Sequence, residues 1–480
     1  MHSASIHSGT LPVFFCALMI LSSGPLLAQS SAVTAKERVE QLERRFEELA
    51  GVISSSAEIE NQVEQLQERI ESMTEALEQL KQVQELQRQI GILAAELESL
   101  RMGEEPPEAK GEGMYGMGAA ASKVYQVSQG LSVGGYGEML YENFSGERED
   151  GQPSRKKDAV DFLRGVLYVG YKFSDKWVMN SELEFEHAST SASGSASVEF
   201  AYLDYLWKPS LSFRSGLLLL PVGLYNELHE PPQFPFTERP NVEKAILPTT
   251  WRENGIGVFG KMGGLSYRSY LVNGLRGAAF SSSGIRGGRQ KGANALAEDV
   301  AWVGRLDWDG TPGFLIGASA YIGNSGQGLV DASGQTIDAS TRLLDVHATW
   351  KFGGLGLRGL WARGTIGDAA RLNEVLGYTG SSSVGSRLNG YYLEASYDML
   401  NRRGDGQAAF SPFLRWETLD TQDQVPAGYA RNPSRKSDIL TLGASYWPME
   451  QLVLKFDFQN WSNDGKTSVD QWNLGLGYIY

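Results

Sequence analysis

From about residue 130 to the end, the chain repeats one pattern, in which apolar and polar positions alternate over segments of about a dozen residues separated by turn residues. The final segment is the clearest. Trp472, Leu474, Leu476, Tyr478 and Tyr480 share one face, and Gln471, Asn473, Gly475 and Gly477 share the other. Successive side chains of a strand point to opposite faces, so this alternation predicts strands with one apolar surface. Leu163, Leu167, Val169, Tyr171 and Phe173, then Trp302, Leu306 and Trp308, then Leu452, Leu454, Phe456 and Phe458 repeat it and are predicted to face lipid.

The predicted strands are 131–144, 158–173, 177–188, 196–208, 211–226, 251–262, 265–273, 297–309, 313–323, 340–352, 354–365, 387–400, 408–419, 435–447, 450–462 and 468–480. Short connections (SDK, PS, GG, GTP, Gly353–Gly354, PME) alternate with longer ones. That asymmetry is the mark of an outer-membrane barrel with short periplasmic turns and long outer loops. The predicted fold is an all-β transmembrane antiparallel barrel of 16 strands over residues 130–480. A strand ending on an aromatic residue also resembles the C-terminal signal of Gram-negative outer-membrane proteins.

Upstream the period changes. Ile59, Val63, Leu66, Ile70, Met73, Leu77 and Leu80 keep one apolar seam, and Val83, Leu86, Ile90, Leu93, Leu97 and Leu100 continue it after a stammer. Glu and Gln fill most other positions, which predicts an α-helical coiled coil over 36–100 and leaves a lone amphipathic helix as the alternative. At about 1.5 Å per residue the seam from Ile59 spans roughly 60 Å. A Gly- and Pro-rich linker at 101–129 separates it from the barrel. Residues 1–28 read as a signal peptide, with the apolar centre LPVFFCALMIL and cleavage at Ala28, although no Lys or Arg precedes that centre. The lone cysteine, Cys16, lies in that centre, so no disulfide framework is available.

One stretch breaks the alternation. Glu227 to Glu253 holds Pro231, Pro232, Pro235, Pro240 and Pro248, which cannot serve a sheet interior, together with Phe234, Phe236, Ile246, Leu247 and Trp251, which need something to pack against. It is the third long loop, predicted at 227–250 to fold inward and narrow the bore; the alternative is a lid over the rim. Its block ERPNVEKAILPTTWRENGIGVFG, from Glu238 to Gly260, resembles the phosphate-selective porin O and P family. A weaker resemblance extends over roughly 130–480, through the SDKW turn at Ser174 and the EFAYLDYLW run ending at Trp207. The resemblance implies a homotrimeric, water-filled pore that passes small anions such as phosphate. The family's ladder of basic residues does not carry over residue by residue, because only the loop block aligns.

Alternation assigns the lumen independently. Arg164, Lys172, Arg214, Arg268, Arg305, Arg358, Arg415 and Lys455 fall opposite apolar partners and are predicted to point inward. So do Glu182, Glu184, Glu186, Asp307, Asp345, Glu394, Glu417 and Asp457. Such a lumen fits either an oxyanion track or a wall in which bases and acids pair. Arg239, Lys244 and Arg252 are the basic residues predicted to reach the constriction, with Arg239 and Arg252 touching solute. Glu230, Glu238, Glu243 and Glu253 lie close to them, and Glu238 and Glu253 are predicted to anchor the loop to the wall.

The net charge of -14 does not bear on selectivity, because residues 36–110 carry a net of -9 on what reads as a solvated helical surface. No catalytic set is predicted: His187, His229 and His347 are widely spaced and match no metal-ligand motif. GIGVFGKM, from Gly255 to Met262, has phosphate-loop spacing but lacks the following Ser or Thr and leads to a strand. The chain therefore reads as an outer-membrane porin for small hydrophilic solutes, not an enzyme, with no cofactor, metal or nucleic-acid partner. Outer-membrane lipid and copies of itself are the expected partners. The alternative is a structural anchor whose periplasmic coil tethers the membrane to peptidoglycan.

Overall fold

A computed structural model of the chain describes residues 36–45, 67–74, 113–189, 194–400 and 408–480. Residues 36–45 and 67–74 are α-helical. The signal-peptide segment, the rest of the predicted coil and residues 101–112 lie outside the described residues.

Sixteen strands close into a single barrel: β1 (Gly130–Phe144), β2 (Ala159–Lys172), β3 (Trp177–Glu186), β4 (Ser195–Lys208), β5 (Leu211–Leu219), β6 (Arg252–Met262), β7 (Leu265–Asn273), β8 (Val300–Thr311), β9 (Phe314–Gly323), β10 (Thr341–Phe352), β11 (Leu355–Ile366), β12 (Arg387–Tyr397), β13 (Ala409–Gln424), β14 (Lys436–Met449), β15 (Leu452–Asn463) and β16 (Gln471–Ile479). Each strand pairs antiparallel with its neighbours in sequence, and β1 closes on β16 with Tyr136 opposite Ile479 and Phe144 opposite Gln471. Closure leaves no open sheet edge, which is what lets a sheet cross a bilayer.

The alternation reads most boundaries closely; β13 runs on to Gln424, five residues past the expected end, and β5 departs most. It ends at Leu219, well before residue 226. There the Leu220 N–H donates to the Trp251 carbonyl, Pro221 offers no donor, and the Asn226 side chain bonds the carbonyls of Leu220 and Trp251. The chain leaves the wall as a strap pinned at its neck.

One end of the barrel carries tight turns such as 173–176, 209–210 and 353–354; the other carries long loops, including 220–251 and 274–299. The outer face exposes a band of apolar side chains, among them Leu167, Leu306, Ile316, Leu344, Leu442 and Leu454. Outward aromatics flank it. Trp177, Trp308, Trp350 and Tyr478 lie near the short-turn end, and Trp302, Trp361, Tyr391 and Trp472 toward the long-loop end. An apolar band between two aromatic girdles is the surface a bilayer requires.

Candidate functional site

The interior is occupied by the chain itself. In loop 220–251, Phe234, Phe236, Val242, Ile246, Leu247 and Trp251 are buried. The rings of Phe234 and Phe236 stack at 5.0 Å, and Tyr225 meets both edge-on. A loop inside a barrel must still satisfy its backbone polar groups. Its prolines reduce the donors, the loop's own carbonyls and Glu243 serve several, and charged wall residues serve others. Asp457 accepts from the Thr237 N–H at 2.8 Å, and Glu417 from the N–H groups of Asn241 and Val242, at the start of the short helix Asn241–Ala245. A carboxylate there also meets the positive end of the helical turn. Asp345 accepts from the Gly223 N–H. On the donor side, Arg358 reaches the Gln233 carbonyl, Arg415 that of Glu238, and Lys455 that of Phe236.

The other predicted lumen residues also point inward and are mostly paired. Arg164 lies 3.3 Å from Glu138 and 3.4 Å from Glu184. Arg214 binds Asp204 through two nitrogens, and Arg268 bridges Glu227 and Asp307. Arg305 pairs with Asp307, and Lys172 bonds the Val127 carbonyl. Among the acids, Glu182 faces His229, Glu186 accepts from Ser195, and Glu394 faces Arg358. His347 sits between Asp345 and Asp307. The inward bases thus pair with inward acids and do not stand as a free cationic track. Those acids include Glu138, Glu199, Asp204 and Glu227, which the sequence analysis left out. Glu138 alternates with outward Met139 and was within reach of the period-two reading. Glu227 lies in the loop stretch itself.

The three bases predicted for the constriction differ in their surroundings. Lys244 pairs with Glu238 at 2.5 Å, and Glu238 also accepts from Gln459 and Gln471 on the far wall. Arg252, the first residue of β6, is buried against Glu199 and Ser197. Arg239 is only 9% exposed, yet among the described residues its guanidinium has no hydrogen-bond or ion-pair partner. Burial, and then the neighbouring Arg164 charge, hold its pKa below the ordinary arginine value. Glu253 binds the loop neck, accepting from the Trp251 indole, Asn273 and the Gln290 N–H. Glu243 accepts from the N–H groups of Leu224 and Tyr225 and from the Tyr392 hydroxyl, which ties the strap to itself and to β12.

Two further segments enter the bore. Residues 113–127, within the predicted linker, pack inside the short-turn end with Ala119, Ala120, Ala121 and Val124 buried. Tyr125 donates to Asp204, and Asn180 to the Ala121 carbonyl. At the long-loop end, segment 274–299 buries Leu275, Phe280 and Ile285, and its Arg289 bonds the carbonyls of Pro248 and Thr250. Beside it opens a cavity of about 500 Å³, lined by Lys156, Arg435, Ser437, Thr467 and Trp461 and floored by Ala245 of the strap. Ala245, on the floor of this vestibule, directly follows Lys244 in the short helix Asn241–Ala245.

Among solved structures, the barrel is similar to Salmonella typhi OmpF in complex with daunomycin, at 12% identity and a TM-score of 0.48, over 74% of this chain and 98% of that one. It is similar to the outer membrane channel DcaP of Acinetobacter baumannii, at 13% identity and 0.48, over 73% and 97%. It is also similar to the anion-selective porin of Comamonas acidovorans, at 12% identity and 0.45, over 73% and 99%. Likenesses this distant say nothing about solute. No family model matches the chain. By sequence, 37% of 376 aligned residues are identical in an uncharacterized protein of Aquifex aeolicus strain VF5, over 76% of this chain and 83% of that protein. The chain belongs to one family with that Aquifex aeolicus protein, and its described barrel is the 16-stranded antiparallel form.

Proposed function

We propose that the protein is an outer-membrane channel for small hydrophilic solutes, with a narrow passage between the inward strap and the wall formed by β15, β16, β1 and β2. The observation that carries this reading is Arg239: a buried arginine with no protein partner, in a lumen whose other bases are mostly paired. An unneutralised guanidinium in a confined passage favours an anion, which replaces part of its lost hydration. The route starts in the vestibule and passes the Glu238–Lys244 pair to Arg239 and Arg164. Phosphate as the preferred anion rests on the resemblance of the loop block alone, and so does assembly as a homotrimer. Arg252, held by Glu199, acts in this reading as a positioning residue for the strap neck, not as a solute contact.

The packed interior favours a second reading. With the strap, segment 113–127 and segment 274–299 all inside the bore, the barrel can serve as a membrane anchor, and the acidic helical stretch before it as a periplasmic tether. Single-channel recording of the purified protein in a planar bilayer separates the two. Stepwise openings support the channel, and persistent absence of current from folded protein supports the anchor.

A further inference from the structure

Three outward arginines stand close together on adjacent strands at the long-loop end. Arg342 of β10 is opposite Thr365 of β11, which is opposite Arg387 of β12; Arg363, two residues before Thr365, faces the same way. Neighbouring strands lie about 5 Å apart, so Arg342 and Arg363 are diagonal neighbours. Both are exposed, and among the described residues neither has an ion pair or hydrogen bond; Arg363 lies 5.5 Å from the Trp361 ring. Arg387 is paired with Asp423. Arg342 and Arg363 border a cleft of about 250 Å³ whose other lining includes Ala320, Ile322, Leu344 and Thr365.

The depth of this cleft follows from its neighbours. One outward step from Arg363 toward the short-turn end, Trp361 is opposite Tyr391 on one side and Val346 on the other, and Leu393 lies beyond. The arginines therefore sit on the water side of the aromatic girdle, where lipid headgroups lie. Two guanidiniums diagonally adjacent, with no acid to neutralise them, repel one another. A phosphate accepts from both planar forks at once and removes that repulsion. The apolar floor of Ile322 and Leu344 continues into the band that acyl chains cover.

We propose that this cleft binds the phosphorylated headgroup of an outer-leaflet glycolipid, with its phosphate on Arg342 and Arg363 and its acyl chains along Ile322, Leu344 and Val346. The proposal rests on the outer-membrane reading but not on conduction, because the cleft is outside the bore.

The test isolates the protein from membranes in mild detergent, measures bound glycolipid per barrel by mass spectrometry, and then titrates lipid A micelles. The double variant Arg342→Gln/Arg363→Gln is expected to retain about tenfold less glycolipid than wild type, the loss of two charge-assisted contacts. Arg342→Lys/Arg363→Lys is expected to fall between them. Arg148→Gln, in the loop after β1, serves as the control and retains the wild-type amount. Equal retention in the Gln double variant overturns the proposal. Displacement by excess inorganic phosphate alone also overturns it, in favour of a soluble anion. So does loss of the oligomer in the variants with glycolipid unchanged, which assigns the cleft to a subunit contact. Far-UV circular dichroism and the thermal unfolding midpoint of each variant report folding without recourse to current, so failure of this site is distinguishable from failure of the channel reading.

Discussion

Glu230 of the strap accepts a hydrogen bond from the Ala121 N–H at 3.0 Å and a second from the Ala120 N–H, which joins two segments that enter the bore separately. Substitution by Ala leaves two buried donors unserved, at a cost of about 1–3 kcal/mol for each unpaired group. Glu230→Ala is expected to lower the thermal unfolding midpoint and to raise single-channel conductance, because segment 113–127 loses its hold on the strap. Unchanged conductance together with a lowered midpoint would mean that the junction is structural only.

The same carboxyl makes the junction sensitive to pH. Burial, outweighing the Ala121 and Ala120 N–H groups, pushes the Glu230 pKa up to about 7 from an ordinary 4.5; Glu182 and Lys123 are charged groups that face it. The folded protein then holds a proton that the unfolded chain releases. The resulting stability is fully present below about pH 4.5 and is lost as pH rises through about 7. Trypsin cleavage at Lys123 is expected to speed up across that window in wild type and to show a flatter profile in Glu230→Gln. Parallel profiles would assign the titration elsewhere.

Arg415 and Arg239 are both buried inward bases, and their removal should have opposite consequences. Arg415 is fully buried, lies 3.3 Å from Glu417, donates to the Glu238 carbonyl and covers the Phe236 ring. Arg415→Gln removes the cation facing buried Glu417, which keeps its Asn241 and Val242 N–H donors, and is expected to cost about 3–5 kcal/mol. Arg239→Gln breaks no hydrogen bond or ion pair among the described residues and should leave the denaturant midpoint unchanged or raised. Chemical denaturation of the two variants side by side checks the contrast.

Gly223 adopts φ +64°, and a Cβ built there would collide with Glu243 Oε2, the oxygen that accepts from Leu224 and Tyr225. Gly223→Ala therefore combines about 1–2 kcal/mol of left-handed strain with displacement of that carboxylate. Faster proteolysis within 220–251 is the expected readout, while the strands remain protected.

The wall of this protein was legible and its filling largely was not. Period-two alternation locates the sixteen strands because burial in lipid and exposure to a polar lumen impose it residue by residue. It misses the end of β5, where Leu217 to Leu220 are apolar on both faces and the chain leaves the wall through Pro221. GMYGMGAAAS reads as linker because its residues are small, yet smallness is what lets Gly118 and Ala119–Ala121 lie against Glu230. The stretch between the strands predicted at 265–273 and 297–309 reads only as one of the longer connections, while Leu275, Phe280 and Ile285 bury it inside. The pairing of the bases was hidden for another reason: partners such as Arg268 with Glu227, or Lys455 with the Phe236 carbonyl, meet only when the strap crosses the bore.

The most direct test of the proposed passage is the single-channel reversal potential across a KCl gradient, in wild type and in Arg239→Gln. An anion-selective potential that moves toward zero in the variant, with folding unchanged, is the expected result. A potential identical in the two proteins, or no current from either, would contradict it.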